Sequence, residues 1–410
     1  MTTTPRLPSV LLIVACCSAL FTAAATAAAV VELPADPPAR RSVALVEQWR
    51  LGAEDEDVLL GVITGAVRDP AGRTYLVDRQ LSQVLVIAAD GTYETTLGRE
   101  GDGPGELRNP HELVLLPDDA VGVVHGFPGR IIGIDTHGDP AGNVTFGGGA
   151  EQGGFVILRR CIRVGDRYVA DAGRMVFDQE NGDMDRTMSL AVYDLAGNET
   201  ALIAAKSARS NFNDPVYDER AEFSGFAAWA AGPDGRVYTA PERDAWVIRV
   251  CGPDGAELAT WRRPFTPRRR TAAEKDDVGS GFNVRANGRD LEVDNRILDT
   301  DPAIMNLTAG PDGRLYVTDA HDTRAHLPAG TAARYDVLAP DGALVEELTL
   351  TFPGFDGTRD ALLFLDGEHF VVIRNFEGAT AAMERAPGEE SAEDGQEAAP
   401  LEVVCVKMGG

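Results

Sequence analysis

Two histidines and two arginine clusters are the side chains whose types and positions best fit a binding or metal site. His111 follows Pro110 directly, and His321 ends the run Val317-Thr318-Asp319-Ala320-His321. Imidazole nitrogens are zinc ligands. Arg159-Arg160 and Arg268-Arg269-Arg270 are dense positive clusters in an acidic chain, and they are either anion-binding groups or a solvated face. The candidate ligand-binding residues are therefore His111, Arg159, Arg160 and His321.

Other catalytic chemistry finds no support in the sequence. There is no Gly-x-Ser-x-Gly elbow and no Cys-x-x-Cys pair. Cys161, Cys251 and Cys405 lie far apart in apolar runs, which predicts buried small hydrophobic residues, with one long-range disulfide as the alternative. The acidic stretch 178–185 suggests a weak calcium loop, but its glycine is one place too early for an EF-hand. No catalytic residue and no metal ligand set is assigned.

The composition excludes one class of partner. The chain has 410 residues, a formal net charge of −26 and a pI near 4.6. DNA and RNA are therefore excluded as partners, because phosphate contacts require clustered Lys and Arg. With 44 glycines and 24 prolines, frequent turns are expected rather than long helices.

Recurring turns divide the chain into short strands. Residues 69–75, 232–238 and 310–316 are three copies of one turn that leads into a strand, with Pro and Gly at the same places. Pro fixes the first turn position and Gly accepts positive φ. A second series of turns, around Gly91, Gly138, Gly197, Gly255 and Gly342, lies between apolar runs, as tight β-hairpins require. The pattern predicts an all-β chain.

Residues 97–110 carry a family resemblance. This stretch reads Leu-Gly-Arg-Glu-Gly-Asp-Gly-Pro-Gly-Glu-Leu-Arg-Asn-Pro and lies between two strand patterns. It resembles the inter-blade loop of NHL-repeat propellers, which implies a secreted bacterial six-bladed β-propeller with four-stranded antiparallel blades. Counting with the turns gives blades at 62–97, 111–146, 155–204, 226–261, 304–352 and from 360 onward.

The last blade lacks one strand, and the segment 42–49 has no other partner. Assigning this N-terminal strand to the last blade closes the ring without unpaired edges. The propeller then spans 42–408, with an inter-blade insertion at 262–303 that includes a short helix. A disordered acidic loop is expected at 377–400, where apolar residues are too few to fold alone.

The N-terminus predicts export. Arg6 precedes an uncharged run with signal peptidase sites near residue 29, so 1–29 is interpreted as a signal peptide and 30–41 as a linker. Ile13-Val14-Ala15-Cys16 resembles a lipobox, which would leave a lipid anchor at Cys16 in an outer-membrane lipoprotein. An uncleaved anchor is a third alternative. All three place the folded part in the periplasm or outside the cell.

The resemblance permits two functions. In some related propellers, the peptidyl-hydroxyglycine amidating lyases, a His after Pro in three blades holds zinc. Alignment on the turns here places Thr64, Ala227 and Met305 opposite His111, so the zinc set is absent. We expect a non-catalytic binding or scaffold module of the cell envelope, without a cofactor, for a protein, peptide or glycan at the loop face or axial channel. The alternative is a lyase or hydrolase that depends on zinc or calcium near His111.

Overall fold

Short antiparallel strands make up most of the chain in the computed structural model. The structure describes residues 28–52, 58–146, 154–178, 180–281, 284–286, 289–291, 293–384 and 401–409. The predicted signal peptide up to residue 27, with its lipobox, lies outside these residues. No helix of the described part is both long enough and apolar enough to cross a membrane.

The first three groups of strands follow one another as four-stranded antiparallel sheets. After β1 (Ala29–Glu32) and β2 (Arg40–Gly52), the first group contains β3 (Ile63–Arg68), β4 (Thr74–Asp78), β5 (Gln83–Ile87) and β6 (Tyr93–Leu97). The second contains β7 (Pro110–Leu115), β8 (Val121–His125), β9 (Arg130–Ile134) and β10 (Pro140–Thr145). The third contains β11 (Phe155–Val164), β12 (Arg167–Asp178), β13 (Asp183–Asp194) and β14 (Glu199–Asn211).

The remaining groups are separated by two connections. A short strand β15 (Val216–Asp218) and helix α1 (Glu219–Glu222) precede the fourth group, β16 (Trp229–Ala231), β17 (Val237–Thr239), β18 (Val247–Cys251) and β19 (Glu257–Arg262). The insertion contains α2 (Ala272–Ser280), β20 (Val284–Ala286), β21 (Arg289–Leu291) and β22 (Asp294–Arg296). The fifth group contains β23 (Ile304–Ala309), β24 (Leu315–Asp319), β25 (Thr331–Leu338) and β26 (Leu344–Thr351), and a 3₁₀ turn, Arg324–His326, follows β24. The sixth contains β27 (Ala361–Phe364), β28 (His369–Arg374) and β29 (Glu402–Met408).

The N-terminal strand joins the last two groups. Residues Arg40 to Ala44 of β2 pair parallel with β26, and Leu45 to Gly52 pair antiparallel with β29. In the described strands, β1 adds a fifth strand to the edge of the fourth group, and β2 joins the fifth and sixth groups into one eight-stranded sheet. The pairing with the last group predicted for 42–49 is present from Leu45 onward, whereas Ser42 to Ala44 pair with β26 of the fifth group.

Hydrophobic clusters fill the spaces between consecutive groups. In one of them Leu76 and Leu85 of the first group pack with Val371 and Val403 of the sixth. Five further clusters join the other neighbours in order around the molecule. The last group therefore packs against the first, and burial on both faces makes the middle strands almost wholly apolar.

The loop 97–110 is an ordered connection between the first two groups. The Glu106 carboxylate accepts hydrogen bonds from the backbone N–H of Gly103, at 2.8 Å, and from Arg99 Nε, at 2.9 Å. Leu107 is fully buried beneath it. A Cβ at Gly101 would lie 2.0 Å from Glu106 Oε2, so the glycine makes room for this carboxylate.

The predicted turns form as expected. Gly235 and Gly313 have φ of +83° and +79°, in the left-handed region that Gly adopts without strain. Asp234 and Asp312 each accept a hydrogen bond from the backbone N–H two residues later. The helix predicted in the insertion is α2, and Thr271 and Glu274 cap its N-terminus reciprocally.

Two predicted irregular segments contain regular structure. The linker prediction for 30–41 was wrong at its start, because β1 pairs parallel with β19 and Leu33 beside it is buried. The prediction of disorder for 377–400 was wrong at 377–384, which belong to α3 (Phe376–Glu384). Phe376 and Ala379 pack on the cluster between the sixth and first groups, which explains why this stretch is ordered. Residues 385–400 lie outside the described part of the chain.

Candidate functional site

A cavity runs along the axis around which the groups pack. Its volume is about 740 Å³, and its lining comes mostly from the first strands of five groups, β3, β7, β11, β23 and β27, with Tyr335 of β25 in addition. In each group this is the innermost strand. Side chains of alternate residues along these strands therefore face a common channel.

The channel lining is positively charged although the protein is strongly acidic. Four arginines line it, and Glu112 is the single carboxylate among the described lining residues. The arginines are Arg68, Arg159, Arg160 and Arg163. A cavity of limited solvent access strengthens the attraction of such a cluster for an anion.

The four guanidinium groups differ in their partners. Arg68 pairs with Asp366 at 3.1 Å, Arg159 with Asp171 at 2.7 Å and Arg160 with Glu112 at 3.4 Å. Arg163 has only a 3.4 Å contact from Nη1 to the Leu115 carbonyl, and its buried Nε has no partner within the described chain. Arg163 is therefore the lining cation with most hydrogen-bonding capacity for a ligand.

His111 lies on the innermost strand of the second group and lines the channel, as predicted. Its Nε2 is 2.9 Å from the Arg159 carbonyl, and because a carbonyl can only accept, Nε2 carries the proton. Burial lowers the pKa of His111 below its usual value. The imidazole is thus held neutral, with Nδ1 as an acceptor.

Arg160 is fixed between two groups of strands. Its Nη1 donates to the Trp229 carbonyl at 2.9 Å, and its guanidinium carbon lies 4.9 Å from the centroid of the indole ring. Glu112, opposite, also accepts a hydrogen bond from the Cys161 backbone N–H at 3.0 Å. Burial raises the pKa of Glu112, whereas Arg160 lowers it.

Arg159 lies at an irregularity of β11. The register with β12 shifts between Leu158 and Arg160, so Arg159 has no direct partner residue across the strands. Its side chain lines the axial channel and also a side cavity of about 260 Å³. The Asp171 Oδ2 holds it, while Oδ1 of Asp171 has no partner among the described residues, and burial raises the pKa of this carboxyl.

This ion pair corrects one prediction about Asp residues. Asp78 and Asp319 end the second strands of their groups, and each accepts hydrogen bonds from nearby backbone N–H groups, as expected. Asp171 was predicted to do the same, but it lies in the middle of β12. The longer strands of the third group move it away from a turn and towards Arg159.

His321 does not join the other candidate residues. Its Nε2 is 2.9 Å from the Thr266 carbonyl, and its ring lies 5.5 Å from that of Phe265, both in the insertion. It does not line the axial channel. In this structure it connects the fifth group to the insertion.

The arginines of the insertion are engaged in ion pairs. Arg268 and Arg270 both bind Asp301, and Arg270 also binds Glu219, which Arg243 contacts from the fourth group. The side chains of Arg243 and Arg270 are buried. Arg268 and Arg270 therefore bind the insertion to the neighbouring segments through ion pairs. The sequence had suggested either an anion-binding group or a solvated face for this cluster.

The remaining candidates for metal chemistry are engaged locally. Asp178 accepts hydrogen bonds from Asn181 and from backbone N–H groups of its own turn, and Asp185 pairs with Arg209 at 2.7 Å. Across the described residues, no three His, Cys, Asp or Glu side chains are grouped as a metal site would need. Cys161, Cys251 and Cys405 are buried free thiols.

A second ionisable cluster lies in the fifth group. Asp322 pairs with Arg334 at 2.9 Å, and Asp336 pairs with Arg263. Burial, with nearby acidic groups, raises the pKa of Asp322 to about 6 and that of Asp336 to about 7. Asp319 lies close to both.

Several lining residues were missed at the sequence level. Arg68, Glu112 and Arg163 are isolated charges within strand patterns, and Asp171 was assigned to a turn. A charged residue in an otherwise apolar innermost strand, as in Pro-His-Glu-Leu-Val-Leu, was the available signal.

Four-stranded antiparallel sheets packed face to face around a channel, with the last on the first, define a β-propeller. We therefore call the groups blades. No protein-family model matches the chain, and no curated protein is similar to it in sequence.

Solved structures are similar to this chain at low identity. A gluconolactonase from Xanthomonas campestris has 12% identity and a TM-score of 0.41, over 85% of this chain and 87% of that one. A DUF4221 family member from Bacteroides vulgatus has 11% identity and a TM-score of 0.44, over 89% and 98%. Virginiamycin B lyase from Staphylococcus aureus has 11% identity and a TM-score of 0.38, over 87% and 97%. Because these scores are below 0.5, the fold assignment depends on the strand pairing of this chain.

Proposed function

We propose that this chain is an exported six-bladed propeller of the NHL type that binds an anionic ligand in its axial channel without transforming it. The ligand class is a carboxylate-bearing peptide, protein segment or glycan. The six four-stranded groups and the Gly-rich loop at 97–110 support the family assignment. The N-terminal signal pattern supports export to the periplasm or beyond.

The observation that carries the proposal is the charge of the channel. Four arginines line a cavity of about 740 Å³ in a chain of net charge −26. Three of them are paired with Asp366, Asp171 and Glu112, whereas Arg163 has no carboxylate partner among the described residues, so its charge is the least compensated of the four. The charged residues along β11 thus oppose the overall charge of the protein and favour an anion.

Binding of simple polyanions tests this proposal. Fluorescein-labelled decamers of Asp, Ser and Lys and an oligogalacturonate are titrated into the purified protein, and anisotropy is read at low and high salt. We expect the acidic probes to bind and the Ser and Lys decamers not to bind, with affinity falling as salt screens the charges.

Two arginine variants make the test specific. Arg163→Gln should lower the binding affinity for the acidic probes about tenfold to a hundredfold, since a hydrogen bond to a charged group contributes roughly 1.5–3 kcal/mol. Arg269→Gln removes the same charge from an exposed position in the insertion and should change nothing. Equal binding of acidic and Ser decamers, or equal effects of the two variants, would refute the proposal.

The metal-dependent lyase or hydrolase remains the competing hypothesis. Its ligand set would have to include His111, whose Nε2 is already bonded to a backbone carbonyl. Elemental analysis of protein purified without added metal separates the two functions. Stoichiometric zinc or calcium that is lost in His111→Ala would favour the enzyme.

A further inference from the structure

The third blade extends beyond the others at one end of the channel. Strands β12 and β13 have 12 residues each, whereas β4, β5, β8 and β9 have five. On β11, Phe155 precedes Arg159 by four residues, which is roughly 13 Å along a strand. The extension therefore stands above the channel mouth where Arg159 lies.

One face of this extension carries a row of aromatic rings. Ring centroids are 5.3 Å apart for Phe127 and Phe155, 6.0 Å for Phe155 and Phe177, and 5.7 Å for Phe177 and Phe212. Phe127, Phe155 and Phe177 are 54%, 48% and 39% exposed. These rings thus form a continuous apolar strip in contact with water. Contiguous exposed apolar surface of this kind is typical of interaction sites.

The row begins at the channel. Phe127 follows Gly126, and a Cβ at Gly126 would lie 3.3 Å from Cε1 of His111. At its other end, Phe212 lines a cavity of about 250 Å³. The row therefore connects the rim of the axial channel with a separate pocket.

The pocket beside Phe212 and the side cavity lie on the same face of the third blade and lead back to the channel. Phe155 pairs with Met175 across β11 and β12, and Met175 pairs with Arg186 across β12 and β13, so their side chains share one face. Arg186, Tyr217 and Glu222 line both the pocket beside Phe212 and the side cavity of about 260 Å³. The side cavity reaches Arg159, which it shares with the axial channel.

The side cavity, like the channel, is lined by more positively than negatively charged side chains. Arg159, Arg186 and Lys206 line it with one carboxylate, Glu222, which pairs with Arg186. The Lys206 ammonium donates to the Phe223 carbonyl at 2.5 Å and to that of Ala221. Exposed Phe side chains beside half-buried Met, Tyr and Arg side chains give the composition that is enriched at the centres of protein interfaces.

We propose that this groove, formed by Phe127, Phe155, Phe177, Phe212, Arg186 and Arg159, binds an extended segment of a partner polypeptide. Apolar side chains of the segment lie on the aromatic row and in the pocket beside Phe212. Its carboxylates meet Lys206, Arg186 and Arg159 and lead towards the channel. This assignment rests on the proposed function, because it names the class of the anionic ligand.

Two labelled peptides test the groove directly. One decapeptide alternates Phe and Asp, and the other alternates Ser and Asp, so that both carry the same charge. We expect the Phe–Asp peptide to bind at least tenfold more tightly to the wild-type protein. Phe177→Ser should remove most of this advantage and leave the Ser–Asp peptide unaffected.

Two controls separate the groove from the channel. Leu258→Ser changes an apolar residue of similar exposure on β19 of the fourth blade and should leave both peptides unchanged. Arg163→Gln should weaken both peptides equally. Thermal unfolding of each variant checks that the fold persists, and Phe155→Ser repeats the test at a second ring.

The outcomes distinguish the two proposals. Equal affinity of the two peptides, with both weakened by Arg163→Gln, would overturn the groove and leave the anion-binding channel standing. Failure of both peptides to bind would overturn the groove, and failure of the oligogalacturonate as well would overturn both proposals. An oligogalacturonate that binds more tightly than the Phe–Asp peptide and depends on Phe177 would overturn the polypeptide assignment.

Discussion

Raising the pH from 5 to 8 should lower the free energy of unfolding of this protein. The cause is the acidic cluster of the fifth blade, where burial raises the pKa of Asp322 to about 6 and of Asp336 to about 7, from an ordinary 3.8. Between these values the folded protein holds protons that the unfolded chain has released. Stability is therefore highest at the acidic end of this window and is lost as the pH rises through the folded-state pKa values.

The size of the effect follows from the pKa shifts. One pKa unit corresponds to about 1.4 kcal/mol, so between pH 5 and 8 Asp336 contributes a loss of about 3 kcal/mol and Asp322 about 1 kcal/mol. His111 acts in the opposite direction, because its pKa is lowered by burial and the unfolded chain binds its proton first. Glu112 and Asp171, whose pKa values burial also raises, act in the same direction as Asp336. The loss expected from Asp322 and Asp336 together is about 4 kcal/mol.

Urea denaturation at constant ionic strength measures this dependence. Asp336→Asn and Asp322→Asn should each flatten the slope between pH 5 and 8. Asp336→Asn should be closest to the wild type near pH 5, where the Asp336 carboxyl is itself protonated, and relatively more stable than the wild type at pH 8, where the wild type must ionise this buried group. Asp276→Asn, an exposed position on α2, is the matched control and should keep the wild-type slope.

The pH profile of the wild type can refute this reasoning. A free energy of unfolding that stays constant or increases from pH 6 to 8 would mean that Asp336 is ionised throughout. The same conclusion would follow if Asp276→Asn and Asp336→Asn gave identical slopes.

Two further predictions concern packing and the buried thiols. Gly342→Ala should lower the free energy of unfolding by about 2–4 kcal/mol, because φ is +92° and a Cβ would lie 2.5 Å from the Trp261 ring. Gly138→Ala is the control: φ is a similar +89°, but a Cβ there meets nothing within 4 Å, so urea denaturation should show a loss of only about 1–2 kcal/mol. A chain produced from residue 28 should show no thiol reactive to Ellman's reagent when folded and three in urea, because Cys161, Cys251 and Cys405 are buried and free; one reactive thiol in urea would indicate a disulfide.

Local chemistry made much of the fold predictable. The Pro-Asp-Gly turns determine their own backbone conformation, so their glycines have the expected positive φ. The capping pair Thr271 and Glu274 similarly lies within one helical turn. The pairing of 42–49 followed from a different argument, since two unpaired strands at opposite ends of the chain could only satisfy each other.

Non-local contacts account for what the sequence could not predict. The strand β1 forms because it pairs with the edge strand β19, which lies more than 200 residues away in the sequence. From the sequence alone, its apolar residues resemble the end of a signal peptide, so no strand was predicted there. The charged network of Arg243, Arg270 and Glu219 joins three separate segments. In the site, β12 continues to Asp178, so Asp171 lies within the strand and not at the turn where the repeat pattern would place it.

The position of β2 has a consequence for how the protein reaches its final state in the cell. Arg41 and its partner Glu346 are 305 residues apart, and β29 follows β26 later still along the chain. Because synthesis proceeds from the N-terminus, β2 stays without its partners until both β26 and β29 have been made. Contacts of such sequence separation form slowly. Pairing of β2 with β26 and β29, rather than formation of individual blades, is therefore expected to limit the rate at which folded molecules accumulate.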